Sequence, residues 1–219
     1  MSRIPALMPS ITLPATRGPL CQVNIKVITP MFGGSATAGK ADPLQPITAK
    51  SIRGHLRFWW RACNAGRYAS SDEMFKVEEK LWGSMPKCQN NRIIGGPSGI
   101  DVQVEITNRC TLGNYQQYNS PIFKYVLFPF SPEGDTNQFL EGVSFRLICT
   151  AAPHVSTEEF EVFKKELESA VWAWVNFGGI GARTRRGCGS LFCSTYAPNS
   201  LAELLACKEK YISGNDANN

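Results

Sequence analysis

Near the C-terminus the stretch GGIGARTRRGCGS, Gly178–Ser190, holds five glycines and three arginines in thirteen residues. Glycine lets another molecule approach the backbone closely, because no side chain stands in the way. Arginine adds planar, charge-assisted donors that match phosphate oxygens. Gly178, Gly179, Gly181 and Gly187 with Arg183, Arg185 and Arg186 therefore have the chemistry of a cradle for a phosphate backbone. The stretch lacks the G-K-[ST] of a Walker A loop. It follows a predicted helix rather than a strand, and Thr184 stands where a G-x-G-x-x-G motif needs its third glycine.

A second constellation lies in KSIRGHLRFWWRACNAG, residues 50–66. Arg53, Arg57 and Arg61 recur every fourth residue and share one stripe of a predicted helix, with no acidic residue between them. Lys50 and Arg53 sit where the free N–H groups of the helix start could join them in holding a phosphate. The competing reading is a solvated face whose arginine stems lie over the core. His55, on the same helix, has the chemistry of a general base in RNA cleavage, or of a packing residue.

The loop 30–49 offers two further candidates. Phe32 could stack a nucleobase. Asp42, close to Lys40, could set a divalent metal beside a phosphate, or simply form the turn in "ADP".

These groups need elements to hold them. Alternating apolar residues predict strands over 20–29, 99–108 and 142–150, and shorter ones over 123–130 and 190–196. Helical spacing predicts helices over 50–66, with Ser51 as N-cap and Gly66 as stop, and over 71–84, 156–177 and 200–212. Residues 85–99 read as a Gly/Pro/Asn linker, and 109–120 as polar and turn-rich. With the insertion set aside the order is β-α-β-β-α-β. This predicts an α+β fold of the ferredoxin-like, RRM-like type, one common platform for RNA. Residues 1–19 read as a loose arm, 20–199 as one domain with an insertion at about 109–141, and 200–219 as a short helix and polar tail.

Composition narrows the classes. The chain has 219 residues, a net charge of +5 and 43% hydrophobic residues, as a globular domain should. It has eight cysteines with no C-x-x-C and only two histidines, which argues against a zinc site. No signal peptide and no long apolar run are present, so reduced thiols, a cytoplasmic location and no membrane association are expected.

TPMFGG, ADPLQPITAKSIRGHLRFWWRA, EEKLWGS and FGGIGARTRRGCGSL together resemble the RAMP superfamily of CRISPR-associated proteins, in particular the Cmr one group of type III-B Cmr effector complexes. The resemblance runs from Thr29 to Leu191. It implies a ferredoxin-like palm with a thumb inserted between the second and third palm strands. It implies a cofactor-free, non-catalytic subunit that binds guide CRISPR RNA and target RNA beside other RAMP and Cas subunits in antiviral defence. Carried over, Lys50, Arg53, His55, Arg57, Arg61 and the loop 178–189 would contact RNA. Relatives of the backbone type cut target RNA with a loop aspartate after the first strand. Asp42, with magnesium or manganese, is the matching alternative. Many members of the Cmr one group carry two RAMP-like units, and this chain has room for one.

Overall fold

A computed structural model describes residues 17–33, 35, 37, 40–89, 92–114 and 138–212. The first strand, β1 (Cys21–Val27), alternates strictly, with Cys21, Val23, Ile25 and Val27 buried and Gln22, Asn24 and Lys26 exposed. Such a pattern suits a sheet covered on one face only. A two-residue strand, β2 (Met31–Phe32), follows. Helix α1 (Ala49–Asn64) is capped by Thr48, whose hydroxyl accepts from the Ser51 amide, so the cap lies three residues before the Ser51 expected. It runs on into a tight turn at Ala65–Arg67 that contains Gly66.

Helix α2 (Ser71–Trp82) stops at Gly83, whose φ is +73°. The stretch expected as a linker instead forms a hairpin, β3 (Ser84–Gln89) with β4 (Arg92–Gly96). Gly and Pro marked a bulged ribbon here rather than a loose connection. Strand β5 (Ile100–Ile106) comes next, then β6 (Thr111–Asn114) and β7 (Gln138–Glu141). The strand expected at 123–130 lies outside the described residues. Strand β8 (Ser144–Ala151) leads to α3 (Thr157–Phe177), whose Ser156 and Glu159 form a reciprocal capping box. Strand β9 (Leu191–Phe192) is shorter than the 190–196 expected, and α4 (Leu201–Tyr211) ends the described chain.

The main sheet has the order β5-β8-β1-β9, antiparallel throughout. A second sheet, β2-β7-β6, is built from the first loop and the segment between β5 and β8. Ile52, Leu56 and Trp60 of α1 and Leu167, Val171 and Trp174 of α3 close on Ile25, Phe145, Leu147 and Ile100 of the main sheet, all buried. The other face of that sheet is mostly polar, with Ile148 on β8 and the exposed Phe192 on β9 as its apolar members. Its outward residues on β1, β5 and β8 include Asn24, Glu105 and Arg146, which hydrogen-bond across the strands, and no aromatic ring. An RRM-type stacking platform is therefore not built on those three strands.

All eight cysteines are free thiols. Burial pushes the thiols of Cys21 and Cys63 up to about 11. Among the described residues no helix is long and apolar enough to cross a membrane.

Candidate nucleic-acid interface

Helix α1 is gripped on two flanks, and its candidate residues divide between them. On one flank the arginine stripe faces α2. Arg61 donates to Glu78 Oε1 from Nη2 at 2.5 Å and from Nε at 2.9 Å, and Arg57 Nε donates to the same oxygen. Arg53 Nη2 donates to the Trp82 carbonyl at 2.5 Å. Glu78 is only 2% exposed. Burial alone would push its carboxyl up, but the hydrogen bonds from Arg61 and Arg57 outweigh that and hold it below the usual value. Arg57 and Arg61 thus share an acidic partner although no acidic residue lies between them on α1. The partner comes from the next helix, where spacing within α1 cannot reveal it.

On the other flank α1 meets the glycine-rich loop. His55 stacks on Trp174 of α3 with centroids 5.8 Å apart and rings 13° from parallel. Burial holds the His55 imidazole below the usual histidine value, so it is neutral at physiological pH. Trp59 packs edge-on to Phe58 at 5.4 Å and against Phe177 at 6.4 Å. Phe58 and Phe177 are 56% and 51% exposed, unusual for such large apolar rings. These side chains, with Gly178, Gly179, Thr184 and Arg185, line an open cavity of about 330 Å³.

The loop is rigidly built. The amides of Gly178, Ile180, Ala182, Arg186, Gly187, Cys188 and Gly189 all donate to backbone carbonyls, and that of Ser190 to the Thr29 hydroxyl. Thr29 in turn donates to the Gly187 carbonyl at 2.6 Å. These eight amides are therefore occupied within the fold, which narrows the expected cradle of open N–H groups. The glycines are demanded by packing. A Cβ on Gly178 would lie 2.6 Å from the Trp174 carbonyl and 2.7 Å from Trp59 Nε1. One on Gly181 would run into the Phe32 carbonyl, and one on Gly189 into that of Ile180. A Cβ on Gly187 would meet nothing, although its φ is +82°. Arg183 adopts φ +61°, rare for a side-chain-bearing residue, and its Nε is buried without a hydrogen-bond partner. Arg185 and Arg186 are exposed in the turn that follows, and Lys50 is exposed in the first turn of α1.

Phe32 is 1% exposed and packs on Phe139 with centroids 5.5 Å apart, so it is a core residue and does not stack a base. Asp42 Oδ1 accepts from the amides of Leu44 at 2.9 Å and Gln45 at 3.2 Å, which is the turn-forming role. Among the described residues no three His, Cys, Asp or Glu side chains are grouped to hold a metal. The outward rings of Phe58 and Phe177 escaped the sequence reading. Their one signal is position, Phe58 opposite the buried stripe of α1 and Phe177 directly before the glycines.

A sequence model of the RAMP superfamily matches residues 24–192. The chain belongs to the RAMP superfamily. This RAMP is 28% identical over 185 residues to CRISPR system Cmr subunit Cmr1-2 of Pyrococcus furiosus, covering 77% of this chain and 91% of that one. It is 24% identical over 151 residues to Cmr1-1 of the same organism, covering 66% of this chain and 40% of that protein. Its fold is similar to the crystal structure of Cmr1 from Pyrococcus furiosus in its apo form, with TM-score 0.65 and 19% identity over 87% of this RAMP and 57% of that chain. It is also similar to a chain in the cryo-EM structure of the type III-B Cmr-beta bound to cognate target RNA, with TM-score 0.51 and 15% identity over 79% of this RAMP and 54% of that chain. This RAMP thus spans little more than half the length of those solved chains.

Proposed function

We propose that this RAMP is a guide-RNA-binding subunit of a type III CRISPR effector complex, which also meets the guide–target duplex and neighbouring RAMP and Cas subunits. The main sheet with α1 and α3 serves as a ferredoxin-like palm, and the segment between β5 and β8 as its thumb. The observation that carries the reading is the convergence of α1 and the glycine-rich loop. An aromatic-lined groove opens there, with Arg185 on its wall and further basic residues on the two elements that form it. Exposed cations beside aromatic rings suit a single-stranded RNA backbone. Such contacts position RNA without reading its sequence, and pairing by the guide would supply specificity.

Lys50, Arg185 and Arg186 carry the phosphate contacts in this reading, while His55 shapes the groove. Arg53, Arg57 and Arg61 hold α1 against α2 and contribute to RNA only through the field they share with Glu78. In this reading the subunit is non-catalytic, and Asp42 serves its own turn, with Oδ1 accepting from the amides of Leu44 and Gln45.

The test is binding of a guide-length single-stranded RNA to the full chain over a range of salt concentrations. Each lost phosphate contact lowers the slope of log affinity against log salt by about 0.7 for a single strand. The double variant Lys50→Glu, Arg185→Glu should bind more weakly and with a shallower slope. An unchanged slope and affinity would remove this groove as the RNA site.

A further inference from the structure

We infer that the cavity between α1 and the glycine-rich loop takes one unstacked nucleobase of the bound RNA. The inference rests on the RNA-binding reading above and adds what the groove grips. Phosphate contacts need only charge, and charge does not explain the aromatic walls. Phe58 and Phe177 stand in solvent at 56% and 51% exposure, although each has an aromatic neighbour to pack on, half-buried Trp59 for Phe58 and buried Trp172 for Phe177. They flank Trp59, whose ring lies against both. The cavity of about 330 Å³ falls at the small end of ligand pockets, the size for a single ring system rather than a run of stacked bases.

Its polar groups suit a base edge. His55 is kept neutral by burial, so its imidazole offers one donor and one acceptor without a charge. Thr184 adds a hydroxyl from the loop side, and Arg185 brings a cation to the same wall for the adjoining phosphate. Gly178 keeps the floor open, since a Cβ there would meet the Trp59 indole nitrogen at 2.7 Å. The outer face of the main sheet sharpens the argument. β1, β5 and β8 give it no ring, and β9 gives it Phe192 beside Lys26, whereas on the helical side Phe58, Trp59 and Phe177 converge on one cavity.

The experiment compares the full chain's affinity for single-stranded oligoadenylate with that for an abasic ribose-phosphate strand of equal length. Base stacking on an aromatic site should favour oligoadenylate by on the order of 10- to 100-fold. The double variant Phe58→Ala, Phe177→Ala should lose that preference and keep its affinity for the abasic strand. Both rings are exposed, so the fold should survive, and a thermal melt confirms it. The single variant Phe58→Ala, which leaves the end of α3 intact, should lose part of the preference. Arg185→Glu should weaken both strands alike. Equal wild-type affinity for the two strands overturns the base pocket and leaves the RNA-binding reading standing. Failure to bind either strand overturns both. A double variant that keeps the base preference but no longer joins its neighbouring subunits shows that the rings face protein, and also overturns the inference.

Discussion

Arg61 on α1 reaches Glu78 on α2 at 2.5 Å, and Arg57 donates to the same carboxylate oxygen. A buried acid held by two half-exposed guanidinium groups makes the α1–α2 junction depend on Glu78 far more than on either arginine. Glu78→Ala should destabilise the protein by about 2–3 kcal/mol, since both cations lose their partner in a part-buried site. Chemical denaturation monitored by tryptophan fluorescence measures this. Glu78→Ala as stable as the native chain would show that the ion pairs contribute nothing net.

Charge reversal at Arg57 and Arg61 together should act through folding. It would bring three carboxylates to one buried point, and like charges there disfavour the compact state. The double reversal should melt well below the native protein. Lys50→Glu with Arg185→Glu, on exposed positions, should leave the melting temperature within a few degrees. Parallel thermal melts separate a structural from an RNA-facing stripe, and equal melting temperatures for the two variants would restore the stripe to the RNA face.

The glycines of the loop should differ sharply in tolerance. Gly189→Ala places its Cβ on the Ile180 carbonyl and should unseat the loop. Gly187→Ala meets open space and should cost only about 1 kcal/mol for its left-handed backbone. Hydrogen exchange at the loop amides is the readout. Equal protection in the two variants would mean that the packing around Gly189 is loose.

Acid should weaken the fold in two windows. Burial lowers the His55 pKa, so the unfolded chain takes up a proton that the folded chain resists. Stability from this group is complete above about pH 6.5 and falls as the pH drops below it towards the folded pKa. Glu78 has a lowered pKa through its arginines, and its contribution is lost further down, as the pH falls below 4.5 through its folded value. His55→Gln should flatten the first window and leave the second. Denaturation midpoints measured between about pH 7.5 and pH 5.5 test this, and an unchanged slope in the variant would assign the window to another group.

Asp42→Ala should leave cleavage of a guide-complementary RNA by the assembled complex intact, with magnesium or manganese present. Its cost should be about 1 kcal/mol of local stability, from the two amide hydrogen bonds at its Oδ1. Asp42→Asn, which keeps an acceptor oxygen, should recover most of that. Loss of one discrete cut in both variants would promote the nuclease reading of this loop.

By itself the sequence determined whatever depends on neighbours along the chain. Val23, Ile25 and Val27 alternate, and that period of two makes a half-buried strand wherever it occurs. The Ser156–Glu159 box starts α3 within four residues of chain. The glycine-arginine stretch was legible as a loop at the end of a helix for the same local reason. What only the tertiary structure decided is which polar groups are already engaged and which rings are left outside. Arg57 and Arg61 of α1 meet Glu78 across a helix pair, and the loop amides meet carbonyls within the loop and on the segment after β1. Phe32, placed in a loop by its neighbours, is buried because Phe139 from the segment before β8 closes over it. Phe58 and Phe177 face one cavity because α1 and α3 pack side by side. Long-range contacts satisfy hydrogen bonds and bury surface between residues that no local period relates, so hydrophobicity and charge along the chain mark candidates, and the fold selects among them.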